Sequence, residues 1–231
     1  MIRAMRCVLT RAGVELLRNT GGLALMEFAL SLPLILTAGG YGIELANFAI
    51  INMRVSQYTM DLADNTARMG DEAALSSYTV DESNINSALQ GIRLEGAPIK
   101  LTTYGRITLS SLEGTATSTG QLLHWQRCIG TMTASNYQSS YGSAGSGTSG
   151  TYVPATGMGP SGSQVAAING SGVMFVEVNY AYQPLFGSLF MSSRQIHYVA
   201  SYMVRDSARS YTSGVTNTNS QTVSSCSTYL A

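Results

Sequence analysis

Residues 21–70 read GGLALMEFALSLPLILTAGGYGIELANFAIINMRVSQYTMDLADNTARMG. From Leu23 to Ile51 the run is apolar, broken mainly by Glu27, Ser31, Thr37, Glu44 and Asn47. As a helix it rises roughly 43 Å, enough to cross a hydrocarbon core of about 30 Å. Pro33 removes one backbone donor and predicts a kink. Gly39, Gly40 and Gly42 would let another helix approach closely. The helical pattern then continues, with Ala49, Met53, Met60, Ala63 and Ala67 at helical spacing. Between them lie Arg54, Gln57, Asp61, Asp64, Asn65 and Arg68. The stretch therefore predicts one long helix ending near Gly70, apolar all round in its first half and amphipathic in its second.

What precedes this helix is basic: Arg3, Arg6, Arg11 and Arg18 stand against Glu15 alone. Positive charge before an apolar segment holds that end in the cytoplasm. From Leu23 onward acids outnumber bases. Over all 231 residues the formal net charge is zero, so no basic surface points to nucleic acid. Charged residues are only 11%, less than half the ordinary share of about 25%. Ser, Thr, Gly and Asn fill the gap, as in exported bacterial surface proteins. Cys7 lies in the basic head, whereas Cys128 and Cys226 follow the apolar segment. If that part is exported, those two are free to pair. A bridge between them would close a loop worth roughly 4–5 kcal/mol in the chain-entropy model. The alternative is two unpaired thiols.

After the long helix, Glu82–Gly91 predicts a short one, capped by Asp81 or Ser83. Beyond residue 95 the period changes to two. Ile107 and Leu109 alternate with polar residues, Gln121–Cys128 is a second candidate strand, and Val173–Tyr182 is the clearest. Ile196, Tyr198, Ala200, Tyr202 and Val204 keep the same step in a fourth. These runs predict a small antiparallel sheet and an α+β fold: a long N-terminal helix, then a domain over residues 71–231. Within that domain residues 131–172 are rich in Ser, Gly and Thr, and predict a long surface loop with little to bury. Pro184–Met191 is too apolar for an ordinary exposed loop. Either it folds back over the core, or Leu185, Phe186, Leu189 and Phe190 form a patch for another protein or the membrane surface.

Glu27 is the anomaly of the apolar run, because a carboxylate in a membrane helix costs several kcal/mol. One reading puts it at the cytoplasmic interface, reaching water. The other rests on its neighbours: a basic head, Gly21-Gly22, then an apolar helix with Glu27 and Phe28 as its fifth and sixth residues. This arrangement resembles the processing site of type IV-type prepilins. More narrowly, residues 23–70 resemble the TadE-type segment of the tight-adherence (Flp, or Tad) pilus system, through Glu27-Phe28-Ala29, Leu32-Pro33 and Gly42-Ile43-Glu44-Leu45. The match is fairly specific because position, charge and proline agree. Downstream, Trp125-Gln126-Arg127-Cys128 and the Glu177-Val178-x-Tyr180-x-Tyr182 strand are similar to elements of TadE-like proteins.

The resemblance implies a minor pseudopilin with a pilin-like fold, processed between Gly22 and Leu23 by a membrane-embedded prepilin peptidase, so that residues 1–22 are a leader. It implies a single-pass protein of the inner membrane, N-terminus cytoplasmic and C-terminal domain periplasmic. Its partners would be other pilins or pseudopilins and the inner-membrane assembly platform. The new amine at Leu23 would sit near Glu27 of its own or a neighbouring chain and offset the burial of both charges. Glu44, further along the helix, is either an interface acid facing water or a contact to a partner helix. A rival reading is a membrane-anchored periplasmic scaffold that never enters a filament.

Other motifs carry less. Residues 145–150 match G-x-G-x-x-G, but both flanks are polar and lack the strand and helix that a dinucleotide site needs. His124 and His197 stand apart with no acidic cluster in sequence, and Glu113 and Glu177 have no visible partner. No P-loop, G-x-S-x-G, H-E-x-x-H or C-x-x-C occurs. The expectation is a protein without cofactor, metal or catalytic site, with Trp125 a core anchor near Cys128.

Overall fold

The computed structural model describes residues 21–69, 80–114, 120–144, 156–204 and 215–230. The basic head and residues 145–150 lie outside the described residues. Two compact units are present, one of Met1–Asn47 with Pro184–Ser192, the other of Phe48–Gln183 with Ser193–Ala231.

Helix α1 (Gly21–Arg68) is 48 residues long and contributes to both units. It continues across Pro33. The hydroxyls of this stretch turn inward: Ser31 donates to Phe28 O at 3.2 Å, and Thr37 to Pro33 O at 2.8 Å. Polar side chains are thereby satisfied within the helix itself. This helix is long and apolar enough to cross a membrane, and none of its apolar window is buried.

In the second half of α1 the buried stripe is Val55, Thr59, Leu62, Ala63, Thr66 and Ala67. That differs in phase from the expected stripe, since Ala49, Met53 and Met60 are exposed. The reason lies in two threonines. Thr59 Oγ1 donates to Val55 O at 2.6 Å and Thr66 Oγ1 to Leu62 O at 2.8 Å. With the hydroxyl consumed on its own helix, each presents a methyl to the core. Ala63 and Ala67 belong to both stripes, so composition alone does not separate the two phases.

The second unit continues with β1 (Val80–Asp81), α2 (Glu82–Glu95), the single turn α3 (Leu101–Tyr104), β2 (Gly105–Gly114), β3 (Gln121–Ile129), β4 (Gly172–Ala181), β5 (Gln195–Met203) and β6 (Val215–Thr216). Strands β3-β2-β4-β5, in that order, form an antiparallel sheet, and β1 pairs in parallel with β6. The fold is thus α+β, a long apolar helix followed by a small antiparallel sheet.

Register puts Ile107, Leu109, Val176, Val178 and Tyr180 on one face of the sheet. Tyr182 meets Phe48 of α1 edge-on, with ring centroids 5.0 Å apart. Tyr180 Oη donates to Ile99 O at 2.9 Å. Burial pushes that hydroxyl up to about 12, so it stays a donor. The opposite face carries Thr108, Ser110, Leu112, Phe175, Glu177 and Asn179. Here Leu112, Leu123, Val173 and Phe175 pack with Met158 and Ala167.

Of residues 131–172, those described (131–144 and 156–172) are mostly exposed or half-buried, as their composition predicts, but a few reach the sheet. Met158 and Ala167 are buried, and Tyr141 and Val165 pack against the same cluster. Met158 and Val165 form an antiparallel bridge, with N–H···O distances of 3.0 and 2.8 Å. Gly157, at φ +87°, makes this possible, because a side chain there would overlap the Val165 carbonyl. A few apolar residues, spaced to reach one face, cover the sheet despite a polar average.

Asp81 caps α2 through Ser83 N–H at 2.9 Å, while Asn84 Oδ1 accepts from Asp81 N–H at 3.0 Å. The helix runs to Glu95 rather than stopping at Gly91. Asp81 also accepts from Thr218 N–H at 2.9 Å, which ties α2 to the C-terminal segment. The Thr218 amide first, then the Ser83 amide, hold the Asp81 carboxyl well below the usual carboxylate range. An acid with a depressed folded value stabilises the fold above its unfolded value and loses that contribution as pH falls. Between about pH 5 and 2 the melting temperature of the wild type should therefore fall more steeply than that of Asp81→Asn. Parallel curves in thermal melts would deny Asp81 this role.

Candidate functional site

The residues singled out by sequence fall into three places. The first is the start of α1. Gly22, Leu23, Glu27 and Phe28 are all helical and exposed, and Glu27 lies one turn beyond Leu23. Four residues of helix rise about 6 Å, so the Glu27 carboxylate lies one turn from the Leu23 backbone.

The second place joins two features that are far apart in sequence. Glu44 is 0% exposed, although the residues on either side of it are exposed. Its Oε1 accepts from Leu185 N–H and its Oε2 from Phe186 N–H, both at 3.2 Å. So Glu44 does not face water, and its own chain supplies a donor to each carboxylate oxygen. One turn earlier, the Phe190 ring lies against Gly40, where an added Cβ would stand 2.7 Å from ring carbons. Gly40 thus admits a ring of the same chain, while Gly39 and Gly42 have nothing within 4 Å of a built Cβ. Phe190 in turn packs edge-on to Phe186, centroids 5.4 Å apart. Gly40 and Glu44 share a helix face at a spacing of four, and the Pro184–Ser192 loop clips to both. Leu185, Phe186 and Leu189 remain exposed.

The third place is the edge of the sheet. Cys128 and Cys226 form a disulfide, Cα to Cα 4.7 Å. The C-terminal segment runs beside β3: Cys128 N–H donates to Ser224 O at 2.8 Å and Gly130 N–H to Leu230 O at 2.6 Å. Sequence reading missed the residue beneath it. Arg106 is fully buried and donates to Gly130 O at 2.8 Å, Thr228 O at 2.9 Å and Cys226 O at 2.7 Å. Its guanidinium also lies 4.4 Å from the centre of the Tyr229 ring. Every member of Trp125-Gln126-Arg127-Cys128 has a tie. Trp125 is buried near the Arg127 guanidinium, Gln126 donates to Ser110 Oγ at 3.0 Å, and Arg127 Nε donates to Glu82 Oε1 at 2.8 Å.

Glu113 and Glu177 do have partners, contrary to the sequence reading. His124 Nδ1 lies 3.0 Å from Glu113 Oε1, and His197 Nε2 lies 3.1 Å from Glu177 Oε1. Ser140 N–H also donates to Glu177, at 3.1 Å. Burial pushes the Glu113 carboxyl up, against the opposing pull of His124. Each pair joins neighbouring strands of one hairpin, so the signal was available once strands were aligned: Glu177 faces Val199, two residues from His197. Compared with protein-family models, with curated proteins and with solved structures, the chain matches none.

Proposed function

We propose that this chain is a TadE-like minor pseudopilin with a pilin-like fold, which supports assembly of an adhesive filament of the tight-adherence type. In this reading it inserts with its N-terminus in the cytoplasm and its sheet domain in the periplasm. A prepilin peptidase cuts after Gly22. The helix is then withdrawn from lipid into a bundle of other pilins by the inner-membrane platform. The observation that carries the reading is the first half of α1: an unbroken helix, exposed along its apolar length, with one exposed acid four residues after Leu23. Such a rod needs lipid or other helices around it. Its acid needs a positive partner once water is gone, and a free amine at Leu23 is that partner.

Mass spectrometry of the protein from native membranes should therefore find an N-terminus at Leu23. An intact head in every copy would end the pilin reading and leave the membrane-anchored scaffold. For Glu27→Ala, processing should persist while filament yield falls sharply, read as sheared pili per cell. Normal piliation would remove Glu27 from the mechanism.

A further inference from the structure

We propose that the Pro184–Ser192 loop is a membrane-inserting collar, whose Leu185, Phe186 and Leu189 enter the bilayer boundary where α1 leaves it. The proposal rests on reading the first half of α1 as a membrane span.

Depth is the first argument. From Leu23 to Glu44 an α-helix rises about 32 Å, close to the hydrocarbon core of about 30 Å. Gly40 and Glu44 then lie at the far boundary of that core, and the loop is fastened to both. Its level along the helix is therefore set by two contacts rather than by chain tethering alone.

The loop's chemistry is the second. Residues 184–192 read PLFGSLFMS, with no charge. Leu185 is 58% and Leu189 76% exposed, and Tyr41, Ile43 and Leu45, from the part of α1 that holds the loop, are 48–56% exposed. Loop and helix thus both turn apolar side chains outward at the level of Gly40 and Glu44. Keeping that apolar surface in water is unfavourable, whereas contact with lipid removes the cost.

Glu44 supplies the third argument. Irregular backbone entering lipid must have its N–H groups satisfied internally. The Leu185 and Phe186 amides, at the loop's most apolar point, are the two that Glu44 accepts. The acid is in turn sealed from its surroundings, as a carboxylate in an apolar medium must be. A lipid occupant explains why loop amides and helix acid are matched to each other, while the side chains of the same residues are left outward.

The test uses the full chain in lipid vesicles, with tryptophan placed by Leu189→Trp and, as a control for the span, by Leu34→Trp. Native Trp125 is 5% exposed and serves as a constant background. Leu189 is so exposed that the substitution leaves the fold undisturbed. We expect Leu189→Trp emission to be lost to lipids brominated near the headgroup end of the chain, and Leu34→Trp emission to lipids brominated near the chain terminus. Acrylamide in the water should quench neither. If acrylamide quenches Leu189→Trp while bromine still quenches Leu34→Trp, the collar is wrong and the span stands. If neither quencher reaches Leu189→Trp and cross-linking captures a second copy there, the occupant is protein and the collar is again wrong. Loss of lipid quenching at Leu34→Trp would overturn the span itself and the collar with it.

Discussion

Cys226→Ser should lower the unfolding free energy of the oxidised chain by about 4 kcal/mol, a fall of roughly 10 °C in melting temperature for a domain of this size. The bridge spans a sequence separation of 98 residues, so cutting it returns a large loop entropy to the unfolded ensemble. Wild-type protein under reductant should melt with the variant; if it does not, the serine has introduced a defect of its own. Arg106→Met tests the second fastening of the same segment. It removes donors from three carbonyls, and a hydrogen bond to a charged group contributes about 1.5–3 kcal/mol net. The loss should fall well short of the threefold sum, because the freed segment can turn the Cys226 and Thr228 carbonyls to water. We expect about 3 kcal/mol alone, and clearly less in the Cys226→Ser background, since groups holding one segment are not independent. Strict additivity in thermal or denaturant unfolding would mean that the bond and the guanidinium hold different things.

Glu44→Ala should release the loop that Glu44 anchors. Two amides lose a charged acceptor, so exchange at Leu185 and Phe186 should accelerate roughly ten- to a hundred-fold in hydrogen-exchange mass spectrometry. Glu44→Gln keeps one acceptor oxygen and should lie between. Gly40→Ala gives an independent perturbation, because its methyl would displace the Phe190 ring without touching the carboxylate. If Glu44→Ala leaves both amides as slow as before, Phe190 on Gly40 alone holds the loop. In the pseudopilin reading Glu44→Ala should also reduce filament yield, since loop amides without acceptors are costly at a membrane boundary.

The sheet was legible because its central strands announce themselves. Val173–Tyr182 alternates β-branched and aromatic residues, and two-residue periodicity survives whatever covers the faces. Sequence could not say that both faces are covered. Arg106 lies on the polar-looking face of the Gly105–Ser111 run, and such an alternation ordinarily signals solvent. The covering comes instead from Tyr141, Met158, Val165 and Ala167 and from the C-terminal segment, in stretches whose composition resembles that of loops. The phase of α1 was misread for a related reason, since Thr59 and Thr66 count as polar until their hydroxyls are seen to bond backward. Glu44 and the Leu185–Phe190 patch were each singled out, yet nothing in the chain links them. Their meeting, across 141 positions, is tertiary information.

The strap along β3 has a consequence for assembly order. Among the described residues the sheet has two borders, and the one at β3 is covered by residues that the Cys226 bond fastens in place. In a newly made chain with reduced thiols, that border is guarded only by hydrogen bonds and Arg106. A border held so loosely is more readily opened as a template for pairing with another copy. Oxidation thus acts as a one-way latch, and chains crowded together before it closes are the ones exposed to misassociation.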